Sequence, residues 1–122
     1  YNTRNLPELL GMGAAIDFHN SVGPEAIHSR MAELREYFDV QLAQIPGMIN
    51  HSPPRSSLAH QIVAVEKEGI SATDLKKALY DDHGIDVRWM GSHGMNGVRI
   101  SLAIYHSLDD VDRLIAGLAA AE

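Results

Sequence analysis

The carboxyl-terminal stretch from Asn96 to Leu118 constrains the fold of this chain more than any other. From Val98 to Tyr105, apolar side chains alternate with polar or small ones, which is the period of a β-strand with one buried and one exposed face. From Leu108 onward, apolar residues recur at helical spacing and form one stripe. The stretch therefore predicts a strand followed by a helix that packs back onto the apolar face of the strand.

Local signals set the start of this helix. Ser107 is a favourable N-cap residue, and Asp110 three residues later completes a pair similar to a capping box. Asp109 and Asp110 also place negative charge at the positive end of the helix dipole. We therefore expect the helix to begin directly after Ser107.

The polar face of the predicted strand carries Arg99 beside the small residues Ser101 and Ala103. A planar guanidinium binds a carboxylate through two parallel hydrogen bonds and so fixes its orientation. Small neighbours leave room for such a ligand to approach. Taken alone, Arg99 is more simply explained as a solvated strand residue, since most arginines are exposed. The loop from Gly91 to Gly97, which contains His93, either covers a ligand or simply connects two strands.

Five more elements are predicted before this unit. The first helix is apolar nearly all round, so it should be buried by its own core, by another part of the protein or by a second subunit. The second helix has one apolar stripe over about six turns, and the first strand is apolar on both faces, which favours a central position in a sheet. The predicted elements are a helix over Leu6–His19, a helix over Pro24–Ile45, a strand over Leu58–Glu66, a helix capped by Ser71, and a strand over Ile85–Met90.

This order predicts an α/β fold of the α+β type. Amino-terminal helices, including one long spine helix, precede a small mixed or antiparallel sheet with helices packed on one face. The chain has 122 residues, enough for a modest core.

Composition excludes several classes of function. The net charge of −6 argues against nucleic acid as a partner, because phosphate binding needs a basic surface. No apolar run approaches the roughly 20 residues of a membrane span, and no secretory signal is present. We therefore expect a cytoplasmic protein with no membrane partner.

The sequence also contains no motif for a metal site or for a catalytic nucleophile. The seven histidines are scattered over different elements without the spacing of a zinc-protease motif, so we predict no metal site. No Gly-x-Ser-x-Gly segment indicates a serine hydrolase. The chain contains no cysteine, which excludes disulfides and thiolate chemistry within it.

The run from Val98 to Leu114 resembles the carboxyl-terminal signature of the class V aminotransferases, which are pyridoxal-phosphate (PLP) enzymes of fold type I. In that pattern Arg-x-Ser is followed by apolar residues, Tyr-Asn, a short polar turn and an acidic helix start. This chain has His106 at the position of the asparagine. The family includes cysteine desulfurases, C–S lyases and isopenicillin N epimerase-like enzymes. The resemblance implies that Arg99 binds the α-carboxylate of an amino-acid substrate.

The amino-terminal residues Tyr1–Asn5 resemble a Gly-Thr-Arg-Asn segment of the epimerase and C–S lyase branch. By this resemblance, Thr3 would reach across a homodimer to the PLP phosphate of the partner subunit. From the residues alone, the segment is a polar loop in which Asn5 caps the next helix.

The resemblance implies that the chain is the carboxyl-terminal portion of a PLP enzyme. Residues 1–22 would end the large PLP-binding domain, 23–47 would form a long linking helix, and 48–122 would form a small α/β domain. None of the three lysines lies in a context similar to the Schiff-base site of the family, so the chain alone should be inactive. The complete enzyme would carry out transamination, epimerisation or C–S lysis. The missing cysteine favours the epimerase and C–S lyase branch over the desulfurases.

An alternative from a different class is a stand-alone, non-catalytic α+β module that binds a ligand or dimerises through the second helix. The apolar first helix separates the two hypotheses, because a fragment that exposes it should associate or need a partner.

Overall fold

Helices and strands make up most of the described chain, which comprises residues 5–53, 61–91 and 94–122 of a computed structural model. The chain divides into two compact units, one up to Arg30 and one from Met31 to Glu122. The elements are α1 (Leu6–Val22), α2 (Pro24–Leu42), β1 (Met48–Asn50), β2 (Ile62–Lys67), α3 (Ala72–His83), β3 (Arg88–Trp89), β4 (Val98–Ser101) and α4 (Leu108–Ala120). This order confirms the predicted α/β class; the division into domains at residues 22 and 47 stays a prediction.

The sheet is antiparallel throughout, with strand order β1-β2-β4-β3. Its buried face is formed by alternate residues of the two central strands, Val63 and Val65 of β2 and Val98 and Ile100 of β4. These side chains share one core with residues of α2, α3 and α4, among them Phe38, Leu42, Leu75, Leu79, Leu114 and Leu118. The predicted central position of β2 and the predicted packing of helices on one face are confirmed.

Helices α3 and α4 begin where their caps predict. The Ser71 hydroxyl accepts a hydrogen bond from the Asp74 backbone N–H at 3.1 Å. Ser107 and Asp110 form a complete capping box, in which each side chain accepts from the backbone N–H of the other. Gly84 ends α3 in the left-handed conformation, with φ of 65°. These caps hold both helices against β4 and the residues around it.

Several predicted boundaries are wrong by a few residues. Helix α1 ends at Val22 rather than His19, and strand β4 ends at Ser101 rather than Tyr105. Helix α2 ends at Leu42 rather than Ile45, because the backbone changes to tighter i to i−3 hydrogen bonds, as from Ile45 N–H to the Leu42 carbonyl. Strand β3 contains only Arg88 and Trp89, because only these residues of the predicted strand pair with β4. Strand β2 begins at Ile62 among the described residues, and Leu58–His60 lie outside them.

Helix α1 is exposed along its whole length. The prediction that its own core would bury it is therefore wrong, whereas burial by another part of the protein or by a second subunit stays a prediction. No helix in the described ranges is long and apolar enough to cross a membrane. The exposed large apolar side chains of α1 are Leu6, Leu9, Leu10, Met12, Ile16, Phe18 and Val22.

Candidate functional site

The face of the sheet opposite the helices carries a row of residues that crosses β2, β4 and β3. Ala64 of β2 is the register partner of Arg99 in β4, and Arg88 of β3 faces Arg99 from the other side. His51 continues the row beyond β1, because its backbone N–H donates to the Ala64 carbonyl at 2.9 Å. The row therefore runs from His51 through Ala64 and Arg99 to Arg88.

Arg99 is exposed on this face, between the buried residues Val98 and Ile100. Within the described residues its guanidinium takes part in no ion pair or side-chain hydrogen bond. Its neighbours on the β2 side and along the strand are small, namely Ala64 and Ser101, whereas Arg88 of β3 faces it on the other side. The guanidinium is thus accessible, with small neighbours on one side.

The described strands carry one carboxylate on this face, that of Glu66, and it already has partners. Glu66 Oε2 lies 3.0 Å from Nε2 of His51, and Glu66 Oε1 accepts from the Asn96 side chain at 3.5 Å. Residues that lie diagonally across a ladder have Cβ atoms about 7–8 Å apart. Glu66 lies diagonally across the ladder from both His51 and Arg99, and it contacts His51.

Asn96 and Gly97 fix the start of β4, two residues before Arg99. The side-chain Oδ1 of Asn96 accepts the Ala72 backbone N–H at 2.7 Å, and its Nδ2 donates to the Ile70 carbonyl at 3.0 Å. Gly97 crosses so close to β2 that an added Cβ would lie 2.5 Å from the Val65 carbonyl oxygen. These contacts, which sequence analysis missed, hold the strand that presents Arg99.

His106 closes the turn after β4. Its Nδ1 accepts the Ala103 backbone N–H at 3.0 Å, and its own backbone N–H donates to the Ala103 carbonyl at the same distance. The Tyr105 ring packs edge-on against the imidazole, with centroids 4.8 Å apart. A ring nitrogen thus supplies the acceptor that an asparagine oxygen could supply, which accounts for histidine at this position.

A pocket of about 340 Å³ lies on the helix side of β4, between residues 84–87 and the start of α4. Its polar groups already serve the local structure. Hydrogen bonds from the backbone and side chain of Ser107 hold the pKa of Asp110 below its usual value, and Arg113 lies 3.4 Å from the same carboxylate. Because Arg99 lies on the other face of the sheet, this pocket is not part of the arginine site.

The three lysines serve the fold and do not suit a covalent PLP site. Lys67 donates to the Leu118 and Ala119 carbonyls at 2.8 and 2.9 Å, which satisfies the carboxyl end of α4. Lys76 pairs with Asp86 at 2.8 Å, and Lys77 pairs with Asp81. Each of the three lysines thus has a structural partner among the described residues. Thr3 and His93 lie outside the described residues.

The sequence model of the class V aminotransferases matches residues 1–114 of the chain. This chain belongs to the class V aminotransferase family. The resemblance predicted from the sequence of the Arg99 strand and the capped helix α4 is confirmed. The family consists of PLP-dependent enzymes of fold type I, and the antiparallel sheet with helices on one face agrees with that assignment.

Several relatives extend this comparison. A cysteine desulfurase from Salmonella agona is 34% identical over 127 residues, which span 95% of this chain and 30% of that protein. The structure of an Escherichia coli cysteine desulfurase matches 98% of the chain with a TM-score of 0.80 at 23% identity, over 31% of its own length. A cysteine desulfurase from Thermococcus onnurineus matches 97% of the chain with a TM-score of 0.80 at 26% identity, also over 31% of its length. The chain thus spans about 30% of the length of these relatives.

Proposed function

We propose that this chain is the carboxyl-terminal portion of a PLP-dependent class V enzyme that acts on an amino acid, and that Arg99 binds the α-carboxylate of the substrate. The observation that carries the proposal is the exposed Arg99 guanidinium, which no described side chain pairs, at the centre of the open face of the sheet. A structural arginine would normally pair with an acidic group. Here the one carboxylate on this face of the strands is bound to His51.

Arg99 would hold and orient the substrate. A guanidinium that donates two parallel hydrogen bonds to a carboxylate fixes both the distance and the plane of the ligand. Ala64 and Ser101 add little bulk beside it, so the amino acid can lie against the sheet. Asn96 and Gly97 keep the strand in place, which reduces the entropy lost when the substrate is oriented.

Residues outside this chain would hold the cofactor, because Lys67, Lys76 and Lys77 are committed to structural contacts. When bound, PLP supplies an electron sink for negative charge at the substrate Cα. Thr3 would contact its phosphate across a homodimer. The chain has no cysteine to accept sulfur, and this favours C–S lysis or epimerisation over a desulfurase reaction within this chain.

The proposal is tested by Arg99→Lys and Arg99→Gln in the complete enzyme, with Arg113→Lys as a matched surface control. A hydrogen bond to a charged group contributes about 1.5–3 kcal/mol, so the KM for the amino acid should rise about 10- to 100-fold. The absorbance of the bound cofactor should not change, because Arg99 does not hold it. An unchanged KM in both Arg99 variants would contradict the role of this residue.

A further inference from the structure

Arg88 and Arg99 face each other across strands β3 and β4. They are register partners, so their side chains leave the same face of the sheet. Directly opposed residues of an antiparallel pair have Cβ atoms about 4.5–5.5 Å apart. Both side chains are exposed, which leaves both guanidinium groups open to a ligand.

Two like charges placed directly opposite each other destabilise a sheet. The described residues do not relieve this repulsion. Glu66 is engaged by His51 at 3.0 Å, and Asp86, two residues before Arg88, is engaged by Lys76 at 2.8 Å. Neither arginine takes part in an ion pair or a side-chain hydrogen bond within the described ranges. The pair is therefore a concentrated positive site that an anion from outside this part of the chain would stabilise.

One guanidinium suffices for a single carboxylate, since a bidentate pair uses one edge of each group. A second guanidinium at this spacing suits a ligand with two anionic groups a few bonds apart. A simple amino acid has one carboxylate. An amino acid with an acidic side chain has the required second group.

We propose that Arg88 is a specificity-determining residue, which binds an acidic side-chain group of the substrate while Arg99 binds the α-carboxylate. This inference rests on the proposed role of Arg99. It assigns the substrate to the class of amino acids with a second acidic group. Arg88 makes no covalent contribution; it selects among substrates by charge.

Binding of simple carboxylates to the complete enzyme, prepared without its cofactor, tests this inference. Succinate, with two carboxylates, and propionate, with one, are titrated at equal low ionic strength, because salt screens exposed charges. The NMR signals of the Arg88 and Arg99 Nε–H groups report binding, and the amide spectrum reports that each variant is folded. Succinate should bind about tenfold more tightly than propionate, a difference of about 1.4 kcal/mol.

The variants separate the two arginines. Arg88→Gln should leave propionate binding unchanged. It should reduce the preference for succinate to the small factor that arises because succinate has two equivalent carboxylates. Arg88→Lys should retain much of the preference. Arg113→Gln, a surface arginine of α4, is the matched control and should change neither affinity.

Three results would overturn the inference: equal binding of the two anions to the unmodified protein, no binding of either, or an unchanged preference in Arg88→Gln. The last result would leave the role of Arg99 intact. A propionate affinity in Arg99→Gln equal to that of the unmodified protein would overturn both this inference and the proposed function.

Discussion

Gly97 and Val65 meet backbone to backbone where β4 crosses β2. A Cβ atom on Gly97 would lie 2.5 Å from the carbonyl oxygen of Val65 and 3.2 Å from its carbonyl carbon. The obstacle is backbone rather than a flexible side chain, so the strands would have to separate to accept any other residue. Arg99 follows two residues later, and its position therefore depends on glycine at 97.

We predict that Gly97→Ala destabilises the chain and weakens carboxylate binding together. Overpacking of this kind costs about 1–3 kcal/mol in the free energy of unfolding, which urea denaturation measures. Gly13→Ala in α1 is the matched control, because a Cβ there meets no other atom within 4 Å. Alanine in a helix is favoured over glycine, so the control should be neutral or slightly stabilising. A Gly97→Ala variant with the same unfolding free energy as the unmodified chain would contradict this prediction, because it would show that β2 and β4 can move apart where they cross.

The capping box of α4 predicts a pH-dependent contribution to stability. Hydrogen bonds from the Ser107 backbone and hydroxyl lower the pKa of Asp110 from its ordinary value of 3.8. A carboxyl whose pKa is lower in the folded state stabilises the fold above its unfolded pKa, and this contribution is lost as the pH falls through the folded value. Asp110→Asn should therefore flatten the dependence of unfolding free energy on pH below about 4.

Urea denaturation of the Asp110→Asn variant and of the unmodified chain between pH 2 and pH 7 measures this effect. These limits lie roughly two to three units on either side of an ordinary aspartate pKa. Asp109→Asn is the control, since Asp109 is adjacent in sequence but is not part of the capping box. Parallel pH profiles for Asp110→Asn and the unmodified chain would contradict the assignment.

Arg35 is fully buried and joins α2 to the segment after β1. Its Nε donates to Asp39 at 2.8 Å, and its terminal nitrogen donates to the Pro53 carbonyl at 2.9 Å. Arg35→Met should lower the unfolding free energy by about 1–3 kcal/mol, because it leaves these acceptors without their donor. The double variant Arg35→Met with Asp39→Leu should lose less than the sum of the single changes. Strict additivity would contradict direct coupling between the two side chains.

Exposure of α1 predicts that the 122-residue chain associates in solution. Contiguous exposed apolar surface of this kind marks an interaction site or a liability for aggregation. Light scattering should show association that rises with concentration and falls when Leu10 and Phe18 are both replaced by Glu. Tyr80→Glu, at an exposed position of α3, should have no such effect. A monodisperse unmodified chain would favour the stand-alone module over the fragment of a larger enzyme.

Features set by neighbouring residues could be predicted from the sequence. The caps at Ser71 and Ser107 need only contacts within one helical turn, so the local sequence was sufficient to predict them. The alternation in β4 gave the correct buried face for the same reason: side chains two residues apart share a face.

Features that depend on distant partners could not be predicted. The burial of Arg35 depends on the Pro53 carbonyl, 18 residues away. The pairing of Arg88 with Arg99 depends on the register of β3 on β4, where a slip by one residue would place them on opposite faces. The role of Asn96, which joins Ile70 and Ala72 to β4, is likewise a tertiary contact without a local signature.

The most direct test of the central claim is the attachment site of PLP in the protein isolated from its source. The protein is reduced with borohydride, which makes the link between PLP and lysine permanent, and the modified lysine is located by peptide mass spectrometry. The account predicts a chain longer than 122 residues, a yellow colour before reduction, and modification at a lysine outside this segment. PLP on Lys67, Lys76 or Lys77, or a colourless protein of 122 residues with no PLP, would contradict it.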